Sequence, residues 1–410
     1  MQQFDVAIVG GGMVGASCAL ALQGTGRRVV LIEGVAPGAT NQPSFDERTT
    51  ALGNASRRIF EGLGVWRDMQ TCAAPIRTIH VSEAKRFGFA RLVAAEQGID
   101  AFGYVVANRI IGAALWSALG SADGVSLRVP ASPESVEIGP EEVSLTIVDA
   151  AGTRERITVS LVVAADGAHS TVRAAAGIDA AVEDYEQVAL VCNIQADRAN
   201  DGTAYERFTA AGPLAVLPIY DGSFTIVWTV AASLAARFLE LPDQEFLLEL
   251  QQRFGWRAGR FTRAGRRASY PLRLTRAAAT VGKRTALIGN AAQALHPVAG
   301  QGFNLGLRDA AMLAELIATT AGDAGQADLL AQYARWRASD RDGVIRFTDG
   351  LIKLFGNRRA SVGMLRNLGL LLFDLAPPAK SALARVSAGF GGPAPRLARG
   401  LALFGLNTRG

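Results

Sequence analysis

Apolar positions recur along this chain with two different periods. The run from Phe4 to Val9 is apolar and ends in glycines, which suits a strand buried on both faces of a parallel sheet. Ala16 to Gln23 then reads as a helix and Arg28 to Ile32 as a second buried strand, together a βαβ unit of about 30 residues. Further strands are expected at Tyr104 to Val106, Val143 to Val148, Ile157 to Ala164 and Arg284 to Ile288. Between Glu186 and Val230 the pattern shortens into runs rich in β-branched and aromatic residues, as at Val188 to Ile194 and Ser223 to Val230. That texture predicts an antiparallel sheet inserted between pieces of the parallel one. Asn304 to Thr319 and most of the chain after residue 328 read as helix, with breaks at Pro377 and Pro378 and at Gly391 to Pro395. The expected class is α/β: a Rossmann-type nucleotide-binding domain with an inserted antiparallel β-sheet domain and a helical C-terminal region. On this reading the nucleotide domain takes residues 1–75, 104–180 and 276–330. An excursion at 76–103 and the sheet at 181–275 form the second domain, and 331–410 the C-terminal region.

Composition bounds this picture. A chain of 410 residues, 49% hydrophobic and 19% charged, suits about two to three globular domains. The start of the chain has no basic segment followed by an apolar stretch and a cleavage site, so a cytoplasmic protein is expected. The most apolar windows, such as Leu368 to Phe373, stop well short of the roughly 20 residues a spanning helix needs. Cys18, Cys72 and Cys192 lack CxxC spacing and read as three buried small apolar residues, with neither disulfide nor zinc implied. No spacing of His, Asp and Glu suggests any other metal.

Net charge is +5, but nine Lys or Arg stand against one acid between Lys353 and Gly410. A second run, Arg253 to Arg276, holds eight arginines and no acid. A solvated face is one reading of such runs. Docking on an anionic membrane surface or an acidic partner is the other, which would place the protein peripherally on the inner membrane. Nucleic acid is not expected, since the bases are not interleaved with aromatics and no binding motif is present.

The chemistry begins at Gly10, Gly12 and Gly15, which form GxGxxG between the first strand and the first helix. The three glycines allow a tight turn, close approach of backbone to a pyrophosphate, and close helix-on-strand packing. Glu33 ends the second strand where a carboxylate accepts hydrogen bonds from an adenosine ribose and repels a 2′-phosphate. The fingerprint alone does not separate FAD from NAD. Two later segments bear on that choice. Val162 to Arg173 reads VVAADGAHSTVR, a buried strand ending in Asp166-Gly167. Residues 287 to 309 read LIGNAAQALHPVAGQGFNLGLRD, in which the helix start near Gly302 to Asn304 is an anion site suited to the charge of a reduced flavin.

These motifs resemble those of the single-component FAD-dependent aromatic hydroxylases with the para-hydroxybenzoate hydroxylase fold, and the resemblance covers nearly the whole chain. Within that family the string from His296 to Asp309, the GNAAQ variant at Gly289 to Gln293, and Ser44 to Leu52 (SFDERTTAL) are similar to the ubiquinone-biosynthesis branch, above all polyprenyl-methoxyphenol hydroxylases. Most relatives carry Gly-Asp in the second FAD motif; here Asn290 stands in its place and Gln293 where a His is common. The resemblance implies FAD as cofactor, NADH or NADPH as transient electron donor, and a polyprenylated phenol and O₂ as substrates. Other ubiquinone-biosynthesis proteins are implied as partners. It assigns to FAD the residues Gly10, Gly12, Gly15, Glu33, Arg48, Arg109, Asp166, Gly167, Gly289, Asn290, Pro297, Gly300, Gly302 and Asn304.

Single residues admit more than one role. His296 is a candidate catalytic base, though a place before Pro297 also suits a turn, and in this chemistry the flavin carries the hard step. His80 and His169 read as structural, Trp228 as core or cavity wall, and Arg308 and Asp309 as helix packing and an ion pair. A hydroxylase of soluble aromatic compounds and a flavin-binding subunit without turnover are the two alternatives to the ubiquinone reading.

Overall fold

The computed structural model describes residues 2–39, 48–295, 300–356 and 394–403. Its first sheet is built around β1 (Gln2–Val9), which pairs in parallel with β2 (Val29–Ile32) on one side and β11 (Arg154–Ala164) on the other. Parallel strands covered on both faces must be apolar throughout, and Val6 to Val9 and Val29 to Ile32 are all buried. β8 (Val125–Arg128) extends the sheet beyond β2, and β19 (Thr285–Leu287) with β18 (Val281–Gly282) extends it beyond β11. A hairpin of β9 (Ala131–Ile138) and β10 (Val143–Asp149) lies antiparallel against the first half of β11. The expected strands at Val143, Ile157 and Arg284 are thus all present, each with ends shifted by a few residues.

On one face of this sheet pack α1 (Met13–Leu22), α4 (Asn108–Leu119) and α8 (Gln301–Thr319), with α2 (Asn54–Gly62) and α3 (Trp66–Met69) beside them. A small sheet of β3 (Thr49–Gly53), β4 (Ala74–Ile76) and β7 (Gly103–Ala107) stands next to these helices. The short α5 (Thr171–Ala175) follows β11. α9 (Ala327–Gly356) runs back across the fold. The described part of the C-terminal region returns to the nucleotide-binding core: Leu397 and Ala398 are buried there, and the Arg396 N–H donates to Glu315 Oε2 at 2.6 Å. The remainder of the basic tail lies outside the described residues.

The second large sheet has the strand order β20 (Gln293–Ala294), β17 (Ala268–Ala277), β12 (Ala180–Ala196), β15 (Phe224–Ala231), β14 (Gly212–Pro218), β13 (Thr203–Thr209), β5 (Thr78–Glu83) and β6 (Phe89–Val93), with β16 (Phe261–Ala264) also on β12. It is antiparallel as expected except for β5 and β13, which pair in parallel. That exception arises because the excursion between β4 and β7 joins the sheet edge from a distant part of the chain. One face is covered by α6 (Ala235–Glu240) and α7 (Asp243–Phe254), whose Phe238, Phe246, Leu250 and Phe254 pack on Leu190, Ile226 and Trp228. Strand alternation delivers that apolar face with no further device.

Trp228 is 1% exposed and sits 4.6 Å from the Phe238 ring and 6.0 Å from Phe246, so it is core and not cavity wall. Cys18 and Cys192 are buried as expected. Cys72 is not: it is half-buried, because it falls in a short turn at the surface. Of the eight arginines from 253 to 276, four are in ion pairs, Arg253 with Glu249, Arg267 with Asp243, Arg273 with Asp184 and Arg276 with Asp342. Among the described residues no helix is long and apolar enough to cross a membrane. Truncating Trp228 to Ala empties the centre of the helix-covered face and is expected to lower stability by about 3–5 kcal/mol. Chemical denaturation measures this, and a loss below about 1 kcal/mol is incompatible with the core role.

Candidate functional site: a nucleotide groove beside a sheet-walled cleft

β1 runs directly into Gly10, whose φ of 103° favours glycine. A Cβ on Gly10 would lie 2.4 Å from the Ala165 carbonyl oxygen, and one on Gly15 only 1.9 Å from the carbonyl oxygen of Gly10. The turn is pressed against the end of β11 and against itself. Gly12 precedes α1 in extended conformation, and no side chain caps that helix. Its first-turn N–H groups, which have no partner within a helix, therefore make an anion site at the positive end of the dipole. Glu33, at the end of β2, accepts from the N–H of Gly11 at 2.5 Å and of Val35 at 2.9 Å. A carboxylate has about four acceptor positions, so this brace leaves capacity for ribose hydroxyls.

At the neighbouring strand end, Asp166 Oδ2 accepts from Thr171 N at 2.7 Å, Thr171 Oγ1 at 3.0 Å and Val172 N at 3.3 Å, capping α5. Its other oxygen, Oδ1, is buried without a partner. Gly167 follows with φ 86° and open space where a Cβ would stand. Arg173 donates to the carbonyls of Ala168 at 2.8 Å and Ala291 at 2.9 Å, which ties this turn to the second motif. There Gly289 has φ 57°, and a Cβ on Gly306 of α8 would come within 2.9 Å of its Cα. Asn290, next in sequence, is exposed.

The Gly289 N–H donates to Asp309 Oδ2 at 3.1 Å, as does Gln293 Nε2 at 2.7 Å. Asp309 Oδ1 takes Arg337 Nε at 2.7 Å, Arg337 reaches Asp340, and Asp340 binds Arg308 at 2.8 Å. Burial pushes the Asp309 carboxyl up and the Arg337 guanidinium beside it pulls it down. The packing and ion-pair roles expected of Arg308 and Asp309 are what the structure shows. Gln293, where a His is common, completes the network as a neutral donor.

α8 starts at Gly300, which is left-handed with φ 61°, and has no side-chain cap. Gly302 lies in its first turn. The Asn304 side chain has a structural task. Its Oδ1 accepts from Gly53 N at 2.9 Å and Ser56 Oγ at 2.6 Å, and its Nδ2 donates to Ala51 O at 2.8 Å and Gly300 O at 2.7 Å. With both ends of the amide used, its side chain clamps the helix start to β3 and α2, and the anion site expected near Gly302 to Asn304 falls to the backbone N–H groups there. His296 and Pro297 lie outside the described residues, as does the Ser44 to Glu47 part of the SFDERTTAL segment.

Arg48 places its guanidinium 4.4 Å from the centroid of the Tyr270 ring on β17, while its carbonyl accepts from Asn108 N at 2.8 Å. It therefore bridges the small sheet and the large one. Arg109 is exposed in the first turn of α4. His80 stacks on Phe89 at 5.4 Å, and burial lowers its pKa. His169 is exposed on the rim of a cavity of about 580 Å³ lined also by Arg173, Arg273 and Thr275. Among the described residues no group of His, Cys, Asp or Glu could hold a metal ion.

The face of the large sheet opposite α6 and α7 turns toward the small sheet, since Ala204 and Leu92 cluster with Ala74, Ile76, Phe102 and Val105. Across that face the register aligns Ala268, Val191, Val227, Ala215, Glu206 and Val81 in one row. Val191, Val227, Ala215, Glu206 and Val81 are all half-buried. A band of small, half-buried side chains thus crosses this face, with Tyr270 and the Arg48 guanidinium against it at the β17 end. None of this row was singled out in the sequence, although alternation in Thr203–Thr209 already puts Glu206 on a face with Ala204 and Phe208.

Two uncapped helix starts, a glycine turn with no room for a Cβ, and the orphaned Asp166 oxygen fit FAD laid from α1 to α8. The fold and site define an FAD-dependent monooxygenase of the aromatic hydroxylase class. The chain belongs to the family described as FAD binding domain, which matches residues 3–348. It is 38% identical to the ubiquinone hydroxylase UbiL of Rhodospirillum rubrum over 406 residues, 97% of this chain and 93% of that one. It is 33% identical to the 3-demethoxyubiquinol 3-hydroxylase of Escherichia coli over 384 residues, 92% of this chain and 96% of the other. In fold it is similar to the p-nitrophenol 4-monooxygenase PnpA of Pseudomonas putida, with a TM-score of 0.79 at 19% identity, covering 96% and 99% of the two chains.

Replacing Gly15 by Val forces the turn apart and is expected to leave protein without bound flavin, read from flavin absorbance per polypeptide. Gly167→Ala, which meets no neighbour, costs only the left-handed strain of about 1–2 kcal/mol and keeps its FAD. Equal flavin content in the Gly15 variant and the native protein contradicts the groove assignment.

Proposed function

We propose that this protein hydroxylates the aromatic ring of a polyprenylated phenol in ubiquinone biosynthesis, taking electrons from NADH or NADPH and oxygen from O₂. The observation that carries this reading is the half-buried row of Ala and Val side chains on the sheet face beside the flavin end. A prenyl chain needs a long apolar wall, and a small polar aromatic does not. Gly10, Gly12 and Gly15 with Glu33 hold the ADP half of FAD. Asp166, Gly167, Gly289 and Asn290 line its middle, and the α8 start at Gly300 and Gly302 faces the flavin. Arg48 and Arg109 close the cleft on the side of the small sheet. Bound FAD supplies the redox chemistry, passing electrons to O₂ so that one oxygen atom enters the ring. The protein orients the ring against the flavin and excludes water. Domain limits of 1–75, 104–180 and 276–330 for the nucleotide part, and 76–103 with 181–275 for the substrate part, agree with this division of labour.

An apolar substrate resides in the membrane, and α7 offers a surface for docking there. Leu248 on α7 is 62% exposed and Trp256, just past the Gly255 turn that ends the helix, 65%. Exposed Arg257, Arg260 and Arg263 follow, so an apolar anchor adjoins charge that suits anionic lipid. Replacing Trp256 by Ser and Arg257 and Arg260 by Gln is expected to weaken sedimentation with anionic vesicles at least tenfold, with flavin content unchanged. Undiminished sedimentation removes this surface from the proposal.

The decisive test of the reaction is single-turnover mixing of the reduced, FAD-loaded protein with O₂ and a prenylated phenol, followed by mass spectrometry. A product heavier by one oxygen atom is expected, and cells lacking the protein should accumulate the polyprenylphenol that lacks this hydroxyl. Hydroxylation of soluble phenols alone, with normal ubiquinone in the deletion strain, overturns the substrate assignment.

A further inference from the structure

Along β13 the side chains alternate. Tyr205 and Arg207 face the helices, where the Tyr205 hydroxyl donates to the Arg257 carbonyl at 3.4 Å and Arg207 Nε to the Arg253 carbonyl at 3.0 Å. Glu206 faces the other way, into the cleft, between Val81 on β5 and Ala215 on β14. It is the only carboxylate in the row that runs on through Val227 and Val191 to Ala268. From Glu206 to Ala268 the row spans four inter-strand steps, about 19 Å at roughly 4.8 Å each. Among the described residues the Glu206 side chain has no hydrogen bond and no ion pair, and burial pushes its carboxyl up to about 7.

Such a group weakens the fold, because a half-buried carboxylate among apolar side chains, with no protein partner, is less favourable there than an apolar side chain of similar size. Packing therefore does not account for its presence. Two further polar atoms on the same face are also unsatisfied. Thr225 Oγ1 and Asn193 Oδ1, on residues paired with each other in the adjacent row, are buried without partners, and Thr225 is 0% exposed. Those two are shut off from solvent, which leaves Glu206 as the accessible unpartnered group: one carboxylate on an otherwise apolar row matches a ligand with a polar atom at one end and a hydrocarbon at the other.

We propose that Glu206 receives the ring hydroxyl of the substrate, holding it by a hydrogen bond and taking its proton as the ring is hydroxylated. The proposal rests on the phenolic substrate class argued above. In the step, the phenolic O–H bond breaks and the proton passes to a Glu206 oxygen. The electron pair stays on the ring oxygen and enriches the ring carbon that takes the oxygen atom from O₂. When that carbon sheds its hydrogen as a proton, which goes into the water formed alongside, the proton on Glu206 returns to the ring oxygen and the carboxylate is restored. NADH or NADPH supplies the two electrons, so none is drawn from the protein.

The test uses the FAD-loaded protein and two soluble probes, 2-(3-methylbut-2-enyl)phenol and its O-methyl ether, titrated against the flavin absorbance. The native protein should prefer the phenol by about ten- to a hundredfold, the factor of a charge-assisted hydrogen bond. Glu206→Leu should bring that ratio to about one while binding the ether as before and unfolding at no lower temperature. Glu206→Gln, which keeps the shape and an acceptor but cannot take a proton, should keep much of the preference and lose on the order of 10²-fold or more in kcat. A preference for the phenol that survives in Glu206→Leu, or full turnover in Glu206→Gln, overturns the assignment of Glu206. Native protein that binds and hydroxylates neither probe and no longer prenylphenol instead overturns the substrate class, and this inference with it.

Discussion

The buried carboxylate of Asp309 is the interaction on which the arrangement of the site depends. A charge removed from water must be paired and fully hydrogen-bonded or it destabilises the fold. Asp309 meets that demand by reaching three separate elements: the Gly289 turn, Gln293 at the edge of the large sheet, and Arg337 on α9. Arg337 and Arg308 share Asp340, so two carboxylates and two guanidiniums balance in one chain of contacts. Because β20 pairs with β17, this network links the Gly289 turn to the large sheet. Breaking one member leaves the others charged and buried, which is why α8, α9 and the turn hold a single relative position.

Steric exclusion sets the other half of the site. At Gly10 and Gly15 no Cβ fits, and at Gly306 the helix backbone lies against Gly289. Close approach sets Val14 in the first turn of α1 beside Gly289 and Gly306, and neither α1 nor α8 has a side-chain cap. Uncapped helix starts are unfavourable in an isolated protein and favourable beside an anion. Two such starts on one side of the sheet suit an anionic ligand.

The large sheet divides its two faces between stability and recognition. The face under α6 and α7 is filled by large aromatic and branched side chains and is fully buried. The opposite face carries small side chains and stays half-open, with polar groups left unsatisfied on it. Period-two alternation makes this division possible within single strands, since Trp228 and Val227, or Tyr205 and Glu206, are neighbours in sequence and strangers in space.

The sequence by itself determined the βαβ unit, the inserted sheet, the glycine fingerprint and the Asp166-Gly167 turn, because each depends on contacts within a few tens of residues and on backbone freedom that only certain residues permit. It determined as well that Arg308 and Asp309 serve packing. Tertiary structure alone decided the rest. Asn304 turned out to be a clamp because Gly53, Ser56 and Ala51, some 250 residues away, consume its amide. Cys72 stayed half-buried because its turn reached the surface. Glu206 acquired meaning only when strands from residues 78 to 277 were set side by side, which placed one carboxyl among Ala and Val. Local pattern specifies which face a residue takes; what that face meets is set by pairings distant in the chain, and no local pattern carries them.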